Sequence, residues 1–125
     1  MVTLFYGKIS SIDYKSGMAD ITLQERENQV IQGAPFLSMV YEMPKPGEIV
    51  AVLFEELDGQ IGKGVVLGRL FIDDNKPAES GTDIFYKQFT GGSGIKYDPV
   101  TEALEIRVKK VTANEIEYET ASQKG

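Results

Sequence analysis

Ile49-Val50-Ala51-Val52-Leu53-Phe54, introduced by Met43-Pro44-Lys45-Pro46-Gly47-Glu48, sets the fold class. Six apolar residues between turn signals are too few for a buried helix and predict a β-strand covered on both faces. The Pro-rich tetrapeptide is the turn that starts it. Downstream, Gly64-Val65-Val66-Leu67-Gly68-Arg69-Leu70-Phe71 predicts a second such strand, with Glu55 to Lys63 as an acidic, Gly-bearing loop between the two. Upstream, Ala19-Asp20-Ile21-Thr22-Leu23 alternates, with Ala19, Ile21 and Leu23 on one face. Leu4 to Asp13 carries Phe5, Ile9 and Ile12 and runs into the turn Asp13-Tyr14-Lys15-Ser16-Gly17. Gln24 to Gln29 reads as a polar loop. Pro35 to Tyr41 fits either a short helical face (Phe36, Leu37, Val40, Tyr41) or a strand, and its brevity between Gly33, Pro35 and Pro44 favours strand. Strands at this spacing predict a small all-β barrel of five strands, in which closure removes the sheet edges. Its expected core is Ile9, Ile12, Ile21, Leu23, Val50, Val52, Phe54, Val66 and Leu70.

Composition changes at Asp73-Asp74-Asn75-Lys76-Pro77, a polar linker that runs to Gly81. The expected division is residues 1–76 as the barrel and 77–125 as linker and C-terminal region. Apolar pairs then recur with polar residues between them: Ile84 and Tyr86; Ile95 and Tyr97; Leu104, Ile106 and Val108; Ile116 and Tyr118. Gly91-Gly92-Ser93-Gly94, Asp98-Pro99 and Thr112-Ala113-Asn114 separate the runs. A single meander of about four short strands leaves its apolar row uncovered and its edges free. Either the meander folds back on the barrel, or copies from several chains wrap around a common axis.

The charge of -6 disfavours phosphate-bearing partners, so no nucleic acid or anionic membrane surface is expected to bind. The absence of Cys and His removes thiol chemistry, soft metal sites and the commonest general base. Met1-Val2-Thr3-Leu4-Phe5 does not read as a secretory signal.

Individual chemical signals are weak. Glu55, Glu56 and Asp58 form the densest carboxylate group, but they lack the spacing of a calcium loop and read as a solvated hairpin loop. The same carboxylates have no cleft motif around them for glycoside hydrolysis. Gly59-Gln60-Ile61-Gly62-Lys63-Gly64 departs from a phosphate loop in spacing and in having Gly64 where a hydroxyl residue is required. Phe5, Tyr6, Phe36 and Tyr41 suit packing better than base stacking on an acidic chain. Asp73 and Asp74 read as linker solubility rather than metal ligands. The expectation is a protein that is not an enzyme and has no cofactor, no catalytic residues and no metal site.

In order along the chain, several stretches resemble the phage baseplate assembly protein V and contractile-tail spike family. Gly7-Lys8-Ile9-Ser10-Ser11-Ile12-Asp13 is similar to its first strand. Pro44 to Phe54 is similar to its P-x-x-G-E/D-x-V-x-V-x-F stretch, and Gly64 to Phe71 followed by Pro77 to its G-x-V-x-L-G-x-L-Y…P stretch. Gly92-Ser93-Gly94-Ile95-Lys96-Tyr97 resembles the entry to its spike. The resemblance implies an oligonucleotide/oligosaccharide-binding (OB) type barrel followed by an intertwined three-chain β-helix. It implies a homotrimer assembled in the bacterial cytoplasm into a tail baseplate, docked to a hub protein, with a separate tip protein as a further candidate partner and envelope contact only within the particle. The trimer interface expected on this basis is Ile95, Tyr97, Leu104, Ile106, Val108, Val111, Ile116 and Tyr118. The rival reading is a monomeric OB-type module that grips a carbohydrate or a protein.

Relatives often hold iron at a pointed apex through a His-x-His pair. This sequence has no His and ends in the polar Ala121-Ser122-Gln123-Lys124-Gly125. Elemental analysis of the purified protein is therefore expected to find no stoichiometric iron; one iron per three chains would contradict the reading.

Overall fold

The structure, a computed structural model, describes residues 1–38, 40–72 and 75–119. It is all-β, apart from two short 3-10 turns. Two compact units divide the chain, Met1–Lys76 and Pro77–Gly125.

The first unit contains β1 (Val2–Asp13), β2 (Met18–Leu23), β3 (Gln29–Pro35), β4 (Ile49–Leu57) and β5 (Gln60–Arg69). They form one curled antiparallel sheet, a half-barrel, in the order β3-β2-β1-β4-β5. The long central β1 is shared: Val2 to Lys8 pairs with β4, and Lys8 to Asp13 pairs with β2. Register shifts curl the sheet on both sides of it. One lies between Ile9 and Ser11 against β2, and another between Ala19 and Ile21 against β3. A third leaves Leu67 as an extra residue on β5, between the pairs Ala51–Gly68 and Val52–Val66. Such bulges bend the bulged strand and increase its twist. Asp20 stitches the first two together: its Oδ1 accepts from Gly33 N at 2.9 Å, its Oδ2 from Ser11 Oγ at 3.2 Å, and its carbonyl from Ser10 Oγ at 2.9 Å. The curl brings the end of β3 toward β5, where Phe36 and Val66 form an isolated parallel bridge.

The concave side is the core. Ile9, Ala19, Ile21, Leu23, Ile31, Ala34, Val50, Val52, Phe54 and Val66 are buried there, with Phe5, Ile12, Phe36 and Ile61 packed around them. Leu70 lies beyond the end of β5, half-exposed and outside this cluster. Ile31 and Ala34 point inward although they are three residues apart, because the bulge falls between them.

Three expectations are corrected. The third strand is Gln29–Pro35, not Pro35 to Tyr41. Glu27 and Asn28, both at φ 58°, turn the chain into it, and among the described residues from Phe36 to Tyr41 only Phe36 pairs. The run from Ile49 is buried on one face only: Val50, Val52 and Phe54 point in, while Ile49, Ala51 and Leu53 are half-exposed. Glu55 to Lys63 is not a loop but the tip of the β4–β5 hairpin, turned by Asp58 (φ 51°) and Gly59 (φ 77°). Asp-Gly with both φ positive is the favoured two-residue hairpin turn.

The second unit contains β6 (Phe85–Gln88), β7 (Gly94–Asp98) and β8 (Ala103–Arg107), a three-stranded antiparallel meander in chain order. Ile84 precedes β6, and Val108, Val111, Ile116 and Tyr118 lie past β8 outside any strand. A single chain thus shows an open sheet of three strands, not a β-helix.

Gly7 faces inward on β1, where an added Cβ would meet the Ile21 Cγ2 at 2.3 Å and the Leu23 Cδ2 at 3.2 Å. Gly7→Ala is expected to destabilise the fold by about 1–3 kcal/mol through overpacking. Gly62→Ala, whose Cβ would come no closer than 3.4 Å to a neighbour, should change it little. Urea denaturation of both variants measures the difference.

Candidate assembly surface

Cross-strand register sorts the side chains of the C-terminal sheet onto two faces. Phe85, Tyr97 and Leu104 stand opposite one another, as do Lys87, Ile95 and Ile106. These six share one face because side chains alternate along a strand. Tyr86, Lys96 and Glu105 form a row of the opposite face, with Gln88, Gly94 and Arg107 beside it.

The chain covers that second face with its own residues. Glu79 reaches across it: Lys96 Nζ donates to Oε1 at 2.9 Å and Arg107 Nη1 to Oε2 at 3.3 Å. Arg107 Nε also donates to Glu105. Tyr86 lies across Gly94, where a Cβ would come within 2.8 Å of the phenol oxygen. The hydrogen bonds from Lys96 and then Arg107 hold the Glu79 carboxyl below its ordinary value of 4.5. The bond to Glu79 raises Lys96 in turn.

The first face keeps large apolar side chains exposed. Leu104 is 62% exposed, Phe85 61% and Ile106 49%. Ile95 is half-buried and Tyr97 exposed on the same face. Val108, Val111, Ile116 and Tyr118 are exposed beyond the sheet. Of the residues expected at a trimer interface, the structure therefore gathers Ile95, Tyr97, Leu104 and Ile106 on one face, and adds Phe85. Of the alternating pair Ile84 and Tyr86, Ile84 precedes β6 and Tyr86 lies on the opposite face of the sheet. The signal for Phe85 is its register opposite Tyr97, which the sequence does not print.

The chemical candidates of the first unit are dispersed. Of the hairpin carboxylates, Glu56 is bonded to Arg26, and accepts from Thr3 Oγ1 at 3.3 Å. The Arg26 guanidinium lies 5.5 Å above the Phe54 ring and covers that end of the core. The Arg26 hydrogen bond, first among several causes, lowers Glu56 below 4.5. Glu56 also ties down the N-terminus, its N–H donating to the Met1 carbonyl at 2.8 Å. Asp58 is in the hairpin turn, and the glycines from 59 to 64 belong to that turn and β5. No cluster of three metal-ligating side chains occurs among the described residues. Asp73 and Asp74 lie outside the described residues, as does the tail from Ala121 to Gly125. Phe5 points into the core, Tyr6 outward from the same strand, Phe36 sits at the β3–β5 bridge and Tyr41 is exposed, so the four do not form one stacking platform. A cleft of about 440 Å³ lies among Lys8, Gln24, Glu48, Leu70 and Asn75. The Asn75 amide is spent there on the Leu70 carbonyl.

Among the described residues, each group with a displaced pKa faces an opposite charge. No protein-family model and no curated protein matches the chain.

Glu79, being depressed, contributes stability that is complete above pH 4.5 and is lost as pH falls through its folded value. Lys96, being raised, loses its share only above 10.5. Hydrogen exchange of the β7 amides should accordingly be faster in Glu79→Gln than in the parent chain at pH 7. The two should converge in acid below 4.5.

Proposed function

We propose that this chain is a structural spike subunit of a contractile-tail baseplate, working as a homotrimer in a phage or a phage-tail-like particle. The observation that carries the reading is the asymmetry of the C-terminal sheet: one face is closed by the chain's own Glu79, Lys96 and Arg107, and the other presents an exposed apolar row. In the trimer, three such rows turn toward one axis and cover one another. The segment past β8, which is outside any strand in the single chain, continues the wrap, so that the C-terminal unit is the beginning of an intertwined β-helix. Edges that are free in one chain become paired between chains.

The N-terminal unit is read as an OB-type barrel. The order β3-β2-β1-β4-β5, with β3 meeting β5 in parallel at Phe36 and Val66, supports this, since closure at that seam gives a five-stranded, partly open barrel. It serves as the platform that docks on the hub, while the narrow C-terminal part transmits axial force to the envelope. Function here rests on shape and rigidity, with no reacting group and no cofactor. The particle is assembled in the bacterial cytoplasm and the subunit leaves with it.

Light scattering should give three times the 13.8 kDa chain mass. Ile106→Asp is expected to abolish the trimer, because three carboxylates would enter one apolar layer and burying unpaired charge costs several kcal/mol. Ile106 is half-exposed in the single chain, so its β-sheet should survive the change. Glu105→Ala, on the opposite face, should leave the trimer intact. A monomeric parent chain at micromolar concentration would instead favour the OB-type module that binds a carbohydrate or a protein, with the polar cleft beside Asn75 as its natural site.

A further inference from the structure

Residues 77–83 lead into β6 and belong to no strand or helix. From Lys76 to Asp83 every residue is exposed except Glu79. Among the described residues, the hydrogen bonds of this stretch are those that the Glu79 carboxylate accepts from Lys96 on β7 and Arg107 on β8. The backbone groups of 77–83 make none to other backbone groups there, and are left to solvent. A segment with so few buried contacts sits at the low end of local stability and opens ahead of the sheet beneath it. Its return leg bends at Gly81, φ 146°, where an added Cβ would meet the Ile84 Cδ1 at 2.8 Å. Ile84, half-buried, is the next covered residue, just before β6.

We infer that residues 77–83 form a strap that Glu79 alone clasps to the C-terminal sheet, and that neutralising this carboxylate or its two cations releases it. The face beneath Glu79 carries Tyr86 and Gln88 from β6, Lys96 and Asp98 from β7, and Glu105 and Arg107 from β8. Asp98 accepts from the Val100 N–H at 2.9 Å, and Glu105 from Arg107 Nε. Lys96 Nζ and Arg107 Nη1 are what remain to meet Glu79, one cation from each of two neighbouring strands. Lys96 first, and Arg107 after it, hold the carboxyl below 4.5. The clasp is therefore closed above that value and opens as pH falls through the folded value. With it closed, the connection from the first unit ends at Glu79; with it open, the connection runs on to Ile84. The sheet keeps its own ladders from β6 to β8 when the strap leaves. The clasp lies within one chain, so it does not depend on how many chains assemble.

The chain has no cysteine, so Ser80→Cys, at an exposed position beside Glu79, accepts a single nitroxide spin label. In the full-length chain at pH 7, a restrained component should dominate the electron paramagnetic resonance spectrum. Lowering the pH to about 3 should convert it to a mobile one while far-UV circular dichroism keeps its β-sheet signal. Adding Glu79→Ala should give the mobile spectrum already at pH 7 and remove the pH dependence. Adding Lys96→Gln together with Arg107→Gln should free the label at pH 7 with Glu79 still in place. A label equally mobile in Ser80→Cys alone and with Glu79→Ala overturns the clasp. A restrained component that survives Glu79→Ala assigns the hold to another contact and overturns it too. Loss of the β-sheet signal in Glu79→Ala would make residues 77–83 a fixed part of the fold, and the strap would not be releasable.

Discussion

One strand serves two partners, and the N-terminal unit depends on it. The first half of β1 pairs with β4 and the second half with β2, so the strand must change direction without losing its ladder. Gly7 and the bulge after Ile9 make this possible. Gly7 lets the β1 backbone approach Ile21 and Leu23 more closely than any Cβ would allow. The bulge re-aims the second half of the strand, and Asp20 holds it by binding groups from β1 and β3 together. From that bend follow the concave core, the approach of β3 to β5, and the convex outer surface that carries Val2, Leu4 and Tyr6.

The C-terminal unit uses charge in place of a core. Its three strands cannot bury an apolar face alone, and β8 is exposed along its whole length. The Glu79 carboxylate gathers a cation from β7 and one from β8, which braces the sheet on one side. Exposed ion pairs contribute little stability each. Their effect here is to fix which side of the sheet is closed by the chain itself. In the proposed spike, the apolar row that the single chain leaves exposed meets other copies.

Much of the half-barrel was legible because strand alternation and turn chemistry are local. Ala19, Ile21 and Leu23 could be placed on one face from spacing alone, and all three are buried. Ile31 and Ala34 escaped because the bulge at β3 breaks period two, so their shared face is visible only in the register with β2. The Asp58-Gly59 turn carried a local signal, but the surrounding Glu55, Glu56 and Lys63 made the segment read as a polar loop. Those charges are tolerated in strands because a hairpin that outruns its core can place side chains in water, and because Arg26 arrives from a distant part of the chain to pair with Glu56.

The sequence by itself determined an all-β chain, a change of character near Lys76, and C-terminal apolar rows that short strands cannot cover unaided. These are consequences of side-chain period, turn residues and chain economy, all readable within a few residues. Tertiary structure alone decided that Phe85 shares a face with Tyr97 and Leu104, and that Glu79 closes the other face. Register and curl arise from pairing between residues far apart in the chain, and a one-residue shift in either would send every side chain of a strand to the opposite face.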